Sequence, residues 1–304
     1  MYYLVYGLLF LLSLLPMGVL YVLSDFLYVL LYRIFGYRRR VVLENLRSSF
    51  PEKSEKEIQL IAKKFYHQFF DSFIETIKLL SCSTNFLEKR LAVNWDEAGR
   101  LYGEGLSSQI HLGHNFNWEW GAVLMSEKLP QKVSIVYMPI ANKSMDRLFL
   151  KMRRRTGTVL VPATPTEAFR KGLKELKTEI FTLVLVADQS PGDPTKAYWL
   201  NFFGKPTAFV AGPEKSARLN KLPVMFTAIK RKKRGNYEAI IKLITKEPRN
   251  FKDGELTVMF ARFLEDVIQQ QPENWLWSHR RWKREWKPEY KDLWIDDPAK
   301  MPSF

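Results

Sequence analysis

Ile180-Phe-Thr-Leu-Val-Leu-Val-Ala187 is a near-continuous apolar run that ends abruptly in Asp188-Gln189. A strand with one wet face alternates apolar and polar side chains, whereas a strand covered on both faces does not. The run therefore predicts a central strand with a layer packed on each side. A polar pair directly at the end of such a strand faces whatever occupies the cleft there. Pro191, Gly192 and Pro194 shape the loop beyond it, and taken alone Asp188 is as readily a turn former.

Working outward, strand-like runs at 108–112, 133–138 and 158–161 alternate with helical patterns at 118–129 and 144–155. Thr164-Pro165-Thr166-Glu167 carries a Thr-x-x-Glu capping box with proline at the first helical position, which predicts a helix to about Lys177. Downstream, 212–219 reads as a helix. Segments 224–229 and 237–244 pair as antiparallel strands, with the basic run Lys230-Arg231-Lys232-Lys233-Arg234 and Gly235 as their turn, and 256–270 is a final helix. Nearer the N-terminus, Ser54-Glu55-Lys56-Glu57 is a second capping box. Ile58, Ile61, Phe65, Phe69, Phe73, Ile77 and Leu80 follow it at helical spacing, with His67 read as structural. Alternating strands and helices imply an α/β domain with a mixed, largely parallel sheet flanked by helices. No internal repeat or low-complexity linker interrupts it.

The chain has 304 residues, 46% of them hydrophobic and 14% aromatic, which excludes disorder and predicts a substantial core. Its formal charge of +15 calls for an anionic partner. The N-terminus selects a membrane over nucleic acid: residues 1–24 carry no charged side chain, and Leu, Val, Phe and Tyr dominate to Tyr32. About 20 apolar residues suffice to span a bilayer as a helix. A cleavable signal is disfavoured by the lack of a basic stretch before the run and of a small-x-small site after it. We expect an uncleaved anchor over 1–32 and a catalytic-sized domain over 33–304, with Pro16, Gly18 and Asp25 leaving a re-entrant hairpin open. Arg33, Arg38, Arg39 and Arg40 follow, so the positive-inside bias puts the bulk of the chain on the cytoplasmic side. Cys82 is the only cysteine. It excludes an intramolecular disulfide and a cysteine-rich zinc site, and no metal is expected.

Four constellations carry chemistry. The first is His114-Asn-Phe-Asn-Trp-Glu119, an imidazole and a carboxylate with four residues between them, after an apolar run. A neutral imidazole can take a proton from a hydroxyl, and a carboxylate can hold its tautomer and stabilise its cation. Five positions on a continuous helix rotate about 500°, leaving the side chains about 140° apart. The pair converges only if His114 sits on a turn before a helix whose first turn holds Glu119, with Asn115 and Asn117 as candidate caps. The second is Asp188-Gln189. The third is Asn201-Phe202-Phe203-Gly204-Lys205-Pro206-Thr207 with Gly212-Pro213, where backbone near glycines and a helix N-terminus could hold an anion or an oxyanion. The fourth is the segment 272–283, dense in Trp and Arg, which suits either a membrane interface or an aromatic core with a basic edge. His279 there has no acid at a telling spacing.

In order, His114-x4-Glu119, Val136-Tyr137-Met138-Pro139, Asp188-Gln189, Phe203-Gly204-Lys205-Pro206 and Trp275-Leu276-Trp277-Ser278-His279-Arg280-Arg281-Trp282-Lys283 resemble the late acyltransferases of lipid A biosynthesis, within the lysophospholipid acyltransferase superfamily. The match spans most of the chain. The resemblance implies an N-terminal membrane helix and an α/β domain on the cytoplasmic face of the bacterial inner membrane. It also implies transfer of a fatty acyl group from acyl carrier protein to a hydroxyl of a lipid A precursor, without a cofactor. His114 would be the general base, Glu119 its orienting partner, and Asp188 would help shape the site. Gln189, Arg155, Gly204, Thr207 and Gly212 complete the substrate-binding set expected on this reading. Two departures stand out. Family members commonly read His-Phe-Gly-Asn-Trp-Glu, whereas this chain reads His111-Leu-Gly-His114-Asn-Phe-Asn-Trp-Glu119, and only His114 has an acid five residues on. Met138 stands where the family often has arginine before proline.

The implied chemistry is direct acyl transfer, consistent with the absence of a Gly-x-Ser-x-Gly elbow. Acyl carrier protein is acidic, so the runs Arg153-Arg154-Arg155 and 230–234 are candidate docking patches. Met138 leaves room for another acceptor, such as a hydroxylated aminolipid, a lysophospholipid or a glycolipid. A non-catalytic protein that binds anionic lipid is the competing class.

Overall fold

The computed structural model describes residues 2–163, 171, 172, 174, 176 and 178–302. The capping box at 164–167 lies outside the described residues. Two apolar helices, α1 (Tyr2–Leu14) and α2 (Met17–Tyr28, continued to Ile34 as a wider helical turn), open the chain. They part at Pro16, which lacks the N–H a continuous helix would need. The stretch expected to anchor the chain is thus two helices rather than one, and Met17–Ile34 is long and apolar enough to cross a membrane. Next come α3 (Arg39–Ser49) and α4 (Glu55–Lys78), which starts at the expected capping box, with Ser54 and Glu57 exchanging bonds.

The α/β body runs α5 (Thr84–Glu88), β1 (Leu91–Val93), α6 (Asp96–Gly103), β2 (Ser108–Leu112), α7 (Trp118–Lys128), β3 (Lys132–Tyr137), α8 (Lys143–Arg154), β4 (Val159–Pro162) and β5 (Phe181–Val186). It continues through β6 (Ala197–Phe202), β7 (Lys205–Val210), α9 (Gly212–Asn220), β8 (Val224–Lys233), β9 (Asn236–Thr245) and α10 (Glu255–Gln270). Seven strands form one sheet in the order β1-β9-β8-β2-β5-β3-β4. The five from β8 to β4 are mutually parallel, and β9 turns back antiparallel on β8, as expected from the sequence. The fold is mixed, mostly parallel α/β.

β5 is covered on both faces. Val184 and Val186 pack with Met125 of α7 and Leu129 just past its end on one side, while Leu183 and Leu185 meet Val159, Val161 and Leu176 on the other. Its neighbour β2 is wholly buried, and on its β8 side Phe226 packs against Phe260 of α10. Leu185 and Val186, at the end of β5, are only half-buried. Both line a large cavity beyond the strand end.

Several elements escaped the sequence reading: the helices α3, α5 and α6, the short strand β1, and the separate β6–β7 hairpin. The hairpin takes in the stretch 201–207 that the sequence offered as a holder of an anion or an oxyanion. Its two-residue turn has left-handed Phe203 and Gly204 (φ 51 and 72), the form that matches strand twist.

Candidate active site

β2 and β5 lie side by side in parallel, with Leu112 opposite Val186. Two residues on, the same register brings His114 and Asp188 together at the C-terminal edge of the sheet, where ligands collect in α/β folds. His114 Nδ1 is 2.5 Å from Asp188 Oδ1, and the His114 backbone N–H donates to Asp188 Oδ2 at 2.7 Å. The Trp275 indole N–H donates to Asp188 Oδ2 at 2.7 Å. Burial alone would raise the Asp188 carboxyl; the electrostatic pull of the His114 ring and these donated bonds outweigh it and hold the group at about 2. An ionised Asp188 accepts the Nδ1 proton, so Nε2 carries the lone pair. Gln189 places its amide nitrogen 3.0 Å from Nε2 and donates to it.

Gly113 makes this approach feasible. A Cβ there would stand 2.6 Å from Leu264 Cδ1 and 3.1 Å from Asp188 Oδ2. The loop after His114 is laced to the tryptophan-rich segment: Phe116 N–H and the Asn115 amide both donate to the Asn274 carbonyl. Trp275 and Trp277 are buried, 2% and 0% exposed. The segment is therefore aromatic core that braces the site, not a membrane-interface belt.

His114 lines a cavity of about 1610 Å³, beyond the roughly 300–1,000 Å³ of ordinary small-molecule sites. Its walls are largely apolar, with Leu112, Met125, Ile135, Val184, Val186 and Ile241 among them, as a fatty chain requires. Lys196 and Lys283 also line it and are exposed to solvent.

The family model of bacterial lipid A biosynthesis acyltransferases matches residues 1–284. The chain belongs to this family. It is an acyltransferase acting on lipid. No individual curated protein matches it.

Among the residues expected at this acyltransferase's site, His114, Glu119, Gln189 and Gly212 line the cavity, and Asp188 backs His114 from behind. Glu119, however, is not the partner of His114. Its buried carboxylate is forked by Arg153, Nε to Oε2 at 3.0 Å and Nη2 to Oε1 at 2.5 Å, and takes the Trp118 indole N–H as well. Glu119 lies on the second residue of α7 while His114 lies on the loop before it, and the adjacent strand supplies the acid instead. Asn117, at the head of α7, donates its amide to Glu75 rather than capping the helix.

Arg155, Gly204 and Thr207 do not line the cavity. Arg155 is spent on the carbonyls of Leu79 and Cys82. Gly204 is the hairpin turn, its N–H already given to Asn201 Oδ1. Thr207 bonds the Lys205 carbonyl and accepts from the Trp282 indole. The two basic runs are split, with Arg154, Lys232 and Lys233 exposed and Arg153, Arg231 and Arg234 turned inward. Arg153 meets Glu119, while Arg231 and Arg234 reach Asp71 and Arg234 also reaches Asp25. Among the described residues the exposed cations lining the cavity are Lys174, Lys196 and Lys283, outside both runs.

His111 is buried in β2, bonded to Gln109 and stacked near Phe226. Burial pushes it down to about 3, so it stays neutral and out of the chemistry. His279 was set aside on the sequence, yet it lines the cavity and accepts the Ser190 N–H at 3.4 Å. Burial and then Arg281 lower it to about 4. Only its position in an order-dependent fold reveals it; no spacing signal exists. Among the described residues no cluster of His, Cys, Asp or Glu could hold a metal.

Proposed function

We propose that the protein transfers a fatty acyl group from an acyl carrier protein thioester to a hydroxyl of a lipid A precursor at the cytoplasmic face of the inner membrane. The observation that carries this reading is the Asp188–His114 pair, whose Nε2 lone pair sits at a large apolar cavity. His114 Nε2 takes the proton of the acceptor hydroxyl as its oxygen attacks the thioester carbonyl carbon. Asp188, ionised, stabilises the imidazolium that forms. The tetrahedral oxyanion collapses, the carbon–sulfur bond breaks, and the imidazolium proton is available to the departing thiolate. Gln189 yields Nε2 to the incoming hydroxyl. Glu119 holds Arg153 at the cavity wall. Exposed Lys196 and Lys283 suit an acidic carrier or a phosphorylated headgroup.

Residues 1–32 serve as the anchor and 33–304 as the catalytic body. On α1, Leu4, Leu8 and Leu11 form an exposed apolar stripe, and Val19, Val22 and Phe26 form another on α2. The opposite face of α2 is tied to the body through Tyr21, Ser24 and Asp25. That division favours helices lying in one leaflet over a helix crossing both.

A second acceptor class is favoured by one residue. Met138 lines the cavity, 64% exposed, where the family often has a cation. A neutral side chain there suits an acceptor lacking an anionic group at that point. Incubation of purified protein with acyl carrier protein thioesters and candidate acceptors, with His114→Ala alongside, separates the two. Acylated lipid A precursor is the expected product. Acylation of another hydroxylated lipid alone moves the assignment to that acceptor.

A further inference from the structure

Glu75 of α4 is fully buried, 0% exposed, in the middle of the protein. Its carboxylate collects three donors from three separate parts of the chain. Tyr21 of α2 donates to Oε1 at 2.7 Å; Tyr237 of β9 and the Asn117 amide donate to Oε2 at 2.6 and 2.7 Å. Its backbone carbonyl takes the Trp120 indole N–H at 2.8 Å. Glu75 thus holds two residues of the stretch His114-Asn-Phe-Asn-Trp-Glu-Trp120, and it holds them to the N-terminal helix.

A buried carboxylate is an expensive way to fill a core. Burial drives Glu75 up to about 7 in spite of its three hydrogen bonds. An apolar side chain would satisfy packing at lower cost but could not grip Asn117 and Tyr21 together. The loop from His114 to Asn117 is also bonded to Asn274 and Asp188, and its Phe116 packs on Phe65 and Phe69 of α4. Glu75 adds the hydrogen bond between α4 and this loop.

We propose that Glu75 is a positioning residue that fixes the His114 loop through Asn117, and that Tyr21 couples the membrane-anchoring helix to catalysis through it. Seating of α2 on the body then sets the geometry of the base. The inference rests on the assignment of His114 as that base.

The test uses full-length protein in phospholipid vesicles, measuring kcat and KM for the acyl thioester. Tyr21→Phe removes one hydroxyl and leaves the apolar stripe of α2 intact. It is expected to lower kcat by about tenfold with KM and vesicle binding unchanged. Asn117→Ala lowers kcat at least as far, and the double variant falls no further than Asn117→Ala, since Tyr21 acts through Asn117. Glu75→Gln keeps the shape and reproduces the loss; should it fail to fold, the Tyr21 and Asn117 cycle still decides. A Tyr21→Phe loss under about threefold, or effects that multiply in the double variant, overturns the coupling. His114→Ala in the same assay separates the two levels. If it stays active, the base is misassigned; if it is inactive while Tyr21→Phe is normal, only the coupling falls.

Discussion

Asp188 takes three hydrogen bonds inside a buried site, and two of them come from the residue it serves. Its replacement by asparagine keeps the shape but removes the charge that fixes the His114 tautomer. Asp188→Asn should lower kcat by about 10³–10⁴-fold, whereas Glu119→Gln should cost under about tenfold. Thioester-release assays on both variants check the ranking, and an equal loss would return the orienting role to Glu119. A pH signature follows too. The folded Asp188 sits at about 2, below the unfolded carboxyl near 3.9, so its ionised form stabilises the fold. That contribution is complete above roughly pH 5 and is lost as pH falls towards 2. Denaturant titrations at a series of pH values should show the slope in the wild type and a shallower one in Asp188→Asn. Both members of the pair stand at strand ends in the sequence, and each was legible there. Their partnership was not, because it depends on which strand lies beside β2. Local spacing offered Glu119 instead, and the fold gives that acid to Arg153.

At the scale of elements, long segments with one dominant signal were readable. α4 has its capping box and a helical apolar stripe, β5 an unbroken apolar run, and β8–β9 two strand-like runs. Residues 230–233, read as part of their turn, instead extend β8 and leave the turn to Arg234-Gly235. The β6–β7 hairpin was hidden because its turn is Phe203-Gly204, not the Asn-Gly or Asp-Gly that usually marks such turns. β1, only three residues long, has too few positions to show a period. Gly204 tests the corrected reading. Its φ of 72 strains any residue with a Cβ, so Gly204→Ala should lower stability by about 1–2 kcal/mol in denaturant melts. Turnover should stay within about twofold, since the residue forms a turn outside the cavity. A large loss of kcat in a folded Gly204→Ala would restore it to the site.

The whole molecule joins a membrane-seeking N-terminus to a catalytic sheet through α4. Asp71 and Glu75, one turn apart on that helix, receive Ser24 and Tyr21 from α2 and Arg231, Arg234 and Tyr237 from the β8–β9 hairpin. The outer stripe of α2 makes no such bonds. Val22→Lys, on that stripe, should shift the protein from vesicles to the soluble fraction in flotation assays. Its melting temperature in detergent should stay unchanged; a marked drop would mean that the stripe packs against protein instead.

His114 and Asp188 are 74 positions apart, the same offset that separates Leu112 from its neighbour Val186. Insertions and deletions in the crossover between β2 and β5 change the numbering but not the pairing. That crossover includes α7, β3 and α8, which supply much of the cavity wall. A lineage can therefore lengthen, shorten or recarve the apolar chamber while the His114–Asp188 pair passes down untouched. The two traits are free to evolve on separate clocks.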